Sequence, residues 1–280
     1  MSPRDINDCS QIVGTGRLAD GSPQNIPWVW ESGKLRQLPY AGLAQRISSD
    51  GRVAATLQEG PPNERAGLYQ NATFTEFPLY HGEQGIFEGT DSAAFAINNN
   101  NIVAGQVRSR AEENGRSNTR AAIFHAGEIP LALDGLRAEF GCQAVDINDS
   151  GNVLLVANPK IFHAQSLLWD IANGSWSYVG DPSSNIYPIA LNNKGIILGQ
   201  ARNERGDPVA VIYQPGEDWT HLGTDDGWVP IDMNDKGDVV GWAWIDKIQR
   251  PWIRFSSGKI VLLPYVIEHH TIPSSINNVG

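Results

Sequence analysis

Short apolar runs separated by turn residues recur along the whole of this 280-residue chain. Runs such as 196–199 and 260–263 are too short for helices, contain many β-branched residues, and are bounded by Gly, Asn, Asp or Pro. This pattern is typical of strands, and no stretch keeps a sustained helical period. The sequence therefore predicts an all-β protein.

A three-residue phrase, an apolar residue followed by Asn and then Asn or Asp, organises these runs. Its seven copies, of which the second carries two serines, begin at Ile6, Ile47, Ile97, Ile147, Leu191, Met233 and Ile276. The spacings are 41, 50, 50, 44, 42 and 43 residues. A period of this size marks one supersecondary unit of a propeller, solenoid or array.

Each of the first six copies is followed by an aromatic residue at the end of an apolar run: Trp30, Tyr69, Phe124, Trp169, Tyr213 and Phe255. Each unit divides into four predicted strands. Strand A ends at the phrase, strand B follows an Asn-x-x-Gly turn, strand C carries the aromatic, and strand D follows a second Gly turn. Asn bonds to its own backbone and Gly accepts positive φ, so both turns have a physical basis.

Four-stranded units repeated six times avoid open sheet edges by closing into a ring. We therefore predict a β-propeller of six four-stranded blades, with seven blades or a β-solenoid as alternatives. Residues 1–280 are predicted to form one domain, with repeats starting near 6, 47, 97, 147, 191 and 233 and a partial repeat at 276. Either the partial repeat or residues 5–7 could close the ring.

The phrase Ile-Asn-Asn/Asp-x-Gly-x-Val-Val-Gly, followed by a strand ending in an aromatic and then x-x-Gly, resembles the bacterial extracellular-repeat family known by its HAF motif. The resemblance extends over essentially the whole chain. It departs at Ser48 and Ser49, and at Ser10, which stands where Gly is expected. The resemblance implies propeller blades and supplies no catalytic residue.

The formal net charge is −10, from 31 acidic and 21 basic residues. An acidic chain lacks the basic surface of a nucleic-acid binder, and its charge favours a basic protein partner or simple solubility. The start of the chain has no apolar segment typical of a signal peptide, and no apolar run is long enough to span a membrane. With two cysteines expected on opposite faces, these features favour a monomeric cytoplasmic protein, although the family resemblance leaves secretion open.

Candidate catalytic chemistry is sparse. The six histidines lack metal-site spacing and no nucleophile elbow is present, so we predict no catalytic residue, no metal and no cofactor. Asp5, Asp146 and Asp232 immediately precede the phrase in three copies, and Arg46 does so in another. A turn role is the simpler interpretation of these aspartates, while an ion or ligand site in the channel is the alternative.

The direction of the strands separates two faces. The A-to-B and C-to-D turns are short and repeated, whereas the B-to-C connections, such as 15–27 and 244–251, and the D-to-A crossings vary. Binding residues concentrate on variable loops, and aromatic and Arg side chains are enriched at interfaces. The candidate binding residues on this variable face are Tyr40, Tyr80, Phe87, Arg108, Arg110, Arg116, Phe140, Tyr187, Arg202, Arg205, Trp228 and Tyr265.

Two functional hypotheses follow. The first is a non-enzymatic propeller that binds a macromolecular partner, a protein, through the variable face. A cytosolic inhibitor or immunity-type protein would be one form of it. The second is a propeller enzyme, a hydrolase or lyase, or a carbohydrate-binding lectin, with its site at the mouth of the channel.

Overall fold

Four-stranded antiparallel sheets follow one another along the chain in the computed structural model. The structure describes residues 1–17, 25–58, 64–80, 89–109, 119–133, 141–157, 164–223, 227–264 and 271–279. Within these ranges there are 24 strands in six sheets and no helix. The prediction of an all-β propeller with six four-stranded blades is confirmed.

Each blade keeps its four strands in chain order, from the channel outwards. The strands of blades 1 to 3 are β1 Ser2–Ile6, β2 Ile12–Arg17, β3 Asn25–Glu31, β4 Lys34–Gln37, β5 Gly42–Ile47, β6 Val53–Gln58, β7 Glu64–Gln70, β8 Thr73–Glu76, β9 Gly89–Ile97, β10 Val103–Ser109, β11 Thr119–Phe124 and β12 Leu131–Ala132. Those of blades 4 to 6 are β13 Cys142–Ile147, β14 Asn152–Ala157, β15 Gln165–Asp170, β16 Ser175–Tyr178, β17 Tyr187–Leu191, β18 Ile197–Arg202, β19 Pro208–Tyr213, β20 Thr220–His221, β21 Val229–Met233, β22 Val239–Ile245, β23 Ile248–Arg254 and β24 Ile260–Leu262.

The core lies between neighbouring blades. Hydrophobic clusters join blades 1 and 2, 2 and 3, 3 and 4, 4 and 5, and 5 and 6. The strand C aromatics contribute to them, since Tyr69, Phe124 and Trp169 are buried. In blades 2 to 5 the repeated aromatic of the sequence therefore packs between blades, whereas Phe255 of blade 6 is exposed.

Residues 271–279 close the ring between blades 6 and 1. The side chain of Asn234 in blade 6 donates to the carbonyl oxygen of Asn277 at 3.1 Å, and Asn277 donates to that of Asn7 in blade 1 at 3.0 Å. The partial seventh copy thus occupies a position of its own around the channel. Of the two closure arrangements left open by the sequence, the structure has the one that uses the partial repeat.

The prediction of a long B-to-C loop at 244–251 was wrong. Strands β22 and β23 continue to Ile245 and from Ile248, so a two-residue hairpin connects them. Asp246 and Lys247 have φ values of 52° and 64°, as a tight primed turn requires. The two cysteines are free as expected, with Cys9 exposed and Cys142 buried. Burial raises the pKa of the Cys142 thiol to about 12.

Candidate functional site

The repeated phrase forms an Asn turn at the end of strand A in five blades, and Ser48 takes the place of the Asn in blade 2. In blade 5, Oδ1 of Asn192 accepts from the backbone nitrogens of Lys194 and Ile196 at 3.0 and 2.9 Å. Asn7, Asn98 and Asn234 accept from the nitrogens two and four residues on in the same way. The turn predicted from the sequence is present.

The other end of the same amide links one blade to the next. Nδ2 of Asn98 donates to the carbonyl oxygen of Asn148 at 3.0 Å, Asn148 donates to that of Asn192 at 3.3 Å, and Asn192 donates to that of Asn234 at 3.3 Å. Asn7 donates to the carbonyl oxygen of Ser48 at 2.9 Å. With the closing bonds of Asn234 and Asn277, these contacts form what we call the inner ring. Ser48 interrupts it because a serine has no amide to donate.

The third position of the phrase forms an outer ring, in which Asn side chains bridge Asp carboxylates. Nδ2 of Asn193 lies 3.0 Å from Oδ2 of both Asp149 and Asp235. Asn278 bridges Asp235 and Asp8 at 3.1 and 3.0 Å. Since ionised carboxylates accept and amides donate, this alternation lets three negative charges sit close to one axis.

The two rings surround a cavity of about 170 Å³ at this mouth of the channel. Residues from all seven copies of the phrase line it, including Asp8, Asp149 and Asp235. The described residues of the lining include no aromatic side chain, so the cavity offers no ring on which a sugar could stack.

A second group of charged side chains belongs to the strand A residues that directly precede the phrase. Nη1 of Arg46 lies 3.2 Å from Oδ1 of Asp5 and 3.7 Å from Oδ2 of Asp232. Burial alone would lower the pKa of Arg46, but Asp232, Asp5 and Asp146 together raise it, so the guanidinium stays charged. Arg46 therefore balances part of the negative charge of this group.

Burial dominates the titration of two of these carboxyl groups. It raises the pKa of Asp146 to about 6, although Arg46 and the backbone nitrogen of Leu191 favour the ionised form. Burial also raises the pKa of Asp232, aided by Asp5 and opposed by Arg46. Neither Asp146 nor Asp232 lines the cavity, nor do Asp5 and Arg46. The carboxyl groups with shifted pKa values are thus outside the space that a substrate at the mouth would fill.

These aspartates hold neighbouring ring positions together. Asp5 accepts from the backbone nitrogen of Ile47 at 2.8 Å, Asp146 from that of Leu191 at 2.9 Å, and Asp232 from that of Ile276 at 3.0 Å. Each of these hydrogen bonds joins one copy of the phrase to the next copy around the channel. The aspartates therefore connect neighbouring copies, a role that differs from the local turn and from the ion site suggested by the sequence. In the part of the chain that the structure describes, no group of three His, Cys, Asp or Glu side chains could hold a metal ion.

Ser275 shows how the closing segment is attached. Its hydroxyl oxygen lies 2.7 Å from Oδ1 of Asp5 and 2.6 Å from Oδ2 of Asp232. One hydroxyl proton cannot serve two ionised carboxylates, so one of the two carboxyl groups donates to the serine oxygen. Ser275 thus links a carboxyl group of blade 1 to one of blade 6 through the closing segment.

Seven of the twelve candidate binding residues are described by the structure; they lie at the strand ends opposite the two rings and form two sets. Arg108, Tyr187, Arg202 and Arg205 are exposed. Tyr40, Tyr80 and Trp228 instead pack against the cores between blades. The other five, Phe87, Arg110, Arg116, Phe140 and Tyr265, lie outside the described residues.

The exposed set is partly ordered by its neighbours. Arg108 lies 3.0 Å from Glu64 in an ion pair, and Nη1 of Arg202 donates to the carbonyl oxygen of Gly206 at 2.6 Å. Tyr187 begins strand β17, and 44% of its surface is accessible. The sequence reasoning missed Trp244, which is 56% accessible beside the hairpin of blade 6. Trp244 was missed because the sequence predicted a connection at 244–251, whereas Trp244 lies near the end of strand β22.

Comparisons with known proteins identify the fold. No family model matches the sequence, and no curated protein matches it. Among solved structures, TolB from Acinetobacter baumannii aligns with a TM-score of 0.60 at 13% identity, over 96% of this chain and 67% of TolB. The β-propeller domain of the Trilobed protease from Pyrococcus furiosus aligns with a TM-score of 0.65 at 12% identity, over 95% and 84%.

An acylaminoacyl peptidase from Pyrococcus horikoshii aligns with a TM-score of 0.67 at 12% identity, over 95% of this chain and 46% of the peptidase. The chain thus spans less than half of that enzyme. Identities this low establish the propeller fold and carry no activity across. No helix in the described ranges is long and apolar enough to cross a membrane.

Proposed function

We propose that this chain is a non-enzymatic binding propeller that engages a protein partner through the face opposite the two rings. The observation that carries the proposal is the contrast between the faces. The ring face is closed by hydrogen bonds from blade to blade, whereas the opposite face presents Tyr187, Arg202 and Arg205 to solvent. Exposed Tyr and Arg on a rigid scaffold are the side chains that contribute most at protein interfaces.

The properties of the channel mouth favour this proposal over the enzyme or lectin. A propeller enzyme would need its acid–base groups to reach a bound substrate, but Asp146 and Asp232 lie outside the cavity lining. A lectin at the mouth would need aromatic platforms, and the described lining has none.

The test uses two charge-matched double variants. Arg202→Ala with Arg205→Ala removes two positive charges from the proposed binding face, whereas Lys194→Ala with Lys236→Ala removes two from the exposed turns of the ring face. A photo-crosslinking residue placed at position 187 should capture one protein from the native host in stoichiometric amount, and the same residue at position 194 should not.

With the captured protein purified, its dissociation constant should rise at least tenfold, about 1.4 kcal/mol, for the arginine pair and change less than twofold for the lysine pair. Equal effects of the two pairs, or capture from position 194 alone, would refute the assignment of the face. Failure to capture any stoichiometric protein from position 187 would refute the proposal itself.

A further inference from the structure

One residue directly after the outer strand of each blade aligns the six blades with one another, and this residue is buried in blades 1 to 5. Its backbone nitrogen donates to a carbonyl oxygen of strand C at 2.8–3.0 Å in every blade. These residues are Leu38, Phe77, Leu133, Val179, Leu222 and Leu263. We call these six residues the anchors. Residues at the same distance before their anchors are equivalent, so the outer strands of the six blades can be compared position by position.

Side chains of the outer strands alternate between the two neighbouring blades. Positions two and four before the anchor face the following blade, since Leu131 lies opposite Ile123, a member of the cluster between blades 3 and 4. Positions one and three before the anchor face the preceding blade, since Trp176 lies opposite Trp169 of the same cluster. Each pair of neighbouring blades therefore forms a groove at the rim, lined by two positions from each side.

The groove between blades 3 and 4 differs from the others in composition. It carries Ile129 and Leu131 on one side and Trp176 and Tyr178 on the other, with exposed fractions of 66%, 54%, 39% and 43%. The two aromatic rings are 5.3 Å apart in an edge-to-face arrangement. We call these four residues the rim patch.

Equivalent positions in the other four grooves between consecutive blades are mixed or polar. In order around the ring they are Lys34 and Arg36 facing Phe74 and Glu76, Thr73 and Thr75 facing Pro130 and Ala132, Ser175 and Ser177 facing Trp219 and His221, and Asp218 and Thr220 facing Ile260 and Leu262. Among these described grooves, only that of blades 3 and 4 has large apolar side chains at all four positions. The blade fold thus does not require them there, and exposed apolar clusters mark interaction sites.

The backbone next to the rim patch is also suited to a partner. Strands β12 and β16 are the outermost strands of their sheets. An outermost strand has one row of backbone groups without a strand partner, which can pair with an added extended segment. A segment paired with β16 would place alternate side chains on Trp176 and Tyr178.

The charged residues of the two outer strands of this groove and of their turns have one sign. Residues 121–133 and 164–186, which contain the outer strands of the groove and their turns, include Glu128, Asp170 and Asp181 and no Lys or Arg. The chain as a whole has a net charge of −10. An incoming segment with basic residues at its ends would be attracted to these carboxylates.

We propose that the rim patch is a second protein-binding surface, which accepts an extended segment of a partner protein with alternate apolar side chains and Lys or Arg at its ends. The rim patch shares no residue with the set Tyr187, Arg202 and Arg205, so this proposal stands whether or not those residues bind a partner.

The test uses a synthetic probe peptide, Lys-Lys-Thr-Ile-Thr-Ile-Thr-Ile-Lys-Lys, labelled for fluorescence anisotropy. Its dissociation constant should rise at least tenfold for Leu131→Ser with Trp176→Ser. The matched control is Val261→Ser with Leu35→Ser, the equivalent positions in blades 6 and 1, and should stay within twofold of the wild type. Replacing the four lysines of the peptide by glutamates should weaken binding at least tenfold in the wild type.

Hydrogen exchange provides a readout that needs no variant. Binding of the probe should slow exchange of the β16 amides in the wild-type protein and leave those of β4 unchanged. Tyr187→Ala should not alter the dissociation constant of the peptide, which separates this surface from the proposed function. No binding of the peptide, equal affinity of the two serine pairs, or protection confined to other strands would overturn the proposal.

Two other occupants give different outcomes. If sedimentation shows a dimer in the wild type that the Leu131→Ser and Trp176→Ser pair abolishes, the rim patch joins two copies of this chain. If an oligosaccharide binds and is lost in the Trp176→Ser variant while the peptide does not bind, the patch stacks sugars. Either result would refute the peptide proposal.

Discussion

Replacement of Asn192 by Asp tests whether the inner ring contributes to stability beyond its turns. The two side chains have nearly the same shape, and the aspartate keeps Oδ1 for the backbone nitrogens of Lys194 and Ile196. What changes is the other end, where Nδ2 donates to the carbonyl oxygen of Asn234 at 3.3 Å. The substitution removes this bond and brings two oxygens face to face.

The expected loss combines two effects. A buried hydrogen bond contributes about 0.5–1.5 kcal/mol, and leaving a charged oxygen buried without a donor adds roughly 1–3 kcal/mol. Asn192 is 3% exposed, so solvent gives little relief. We therefore expect the free energy of unfolding, measured with urea at pH 7, to fall by about 2–4 kcal/mol.

Asn203→Asp is the matched control. Asn203 accepts from the backbone nitrogens of Arg205 and Asp207 at 3.0 and 2.9 Å, the same two spacings as in the ring. It lies in the B-to-C loop of blade 5, away from the channel, and we expect its substitution to change stability by less than about 0.5 kcal/mol.

The pH dependence sharpens the test. A protonated carboxyl at position 192 could donate to the Asn234 carbonyl, so its folded pKa should be raised above the usual value of about 3.9. The loss in free energy of unfolding should therefore reach its full size at pH values well above that folded pKa, and it should be smaller at pH 4.5 than at pH 7. An equal loss in the two variants, or a loss that grows at acid pH, would refute the role given to Nδ2.

Three further outcomes are expected in the same unfolding assay. Ser48→Asn should stabilise the protein by about 0.5–1.5 kcal/mol, because the new amide can reach the carbonyl oxygen of Asn98 and complete the ring; no gain would contradict this. Burial raises the pKa of Asp146 from 3.8 to about 6, so its contribution to stability is complete below 3.8 and lost as the pH rises through 6. The loss is up to about 3 kcal/mol, and Asp146→Asn should flatten this part of the profile, which an unchanged slope would contradict. Gly241→Ala should destabilise by about 1–3 kcal/mol and shift the fluorescence of Trp252, whose indole covers the glycine; an unchanged midpoint would contradict it.

The fold was predictable because each blade repeats a period, a turn and an aromatic residue near the end of strand C. Those features are local in sequence, and six copies make them recognisable. Ring closure was not predictable, since it depends on contacts between Asn277 and Asn7, 270 residues apart. The length of the blade 6 hairpin was missed for a different reason, because Asp246 and Lys247 adopt the positive φ usually taken by Gly or Asn.

The inner ring left a signal in the sequence that turn chemistry does not explain. An Asn turn needs only a side-chain oxygen, so Asp would serve equally well. Yet the second position of the phrase is Asn in six of seven copies, whereas the third position varies between Asn, Asp and Ser. The preference for Asn at the second position indicates a need for a donor as well as an acceptor, and the structure shows that the donor joins neighbouring blades.

Comparison among the six blades separates residues that the fold requires from residues that it merely tolerates. Gly14 and Gly241 each lie under the tryptophan paired with them in strand C, Trp28 and Trp252, so the blade geometry explains them. Leu131 occupies a position where four of the other five blades carry a polar residue: Arg36, Thr75, Ser177 and Thr220. The position of Trp176 is apolar in all six blades, but burial explains neither Leu131 nor Trp176 because both are exposed. An exposed apolar pair reduces solubility and brings the fold no compensating contact. The departure from the repeat therefore indicates binding at the rim more directly than exposure alone would.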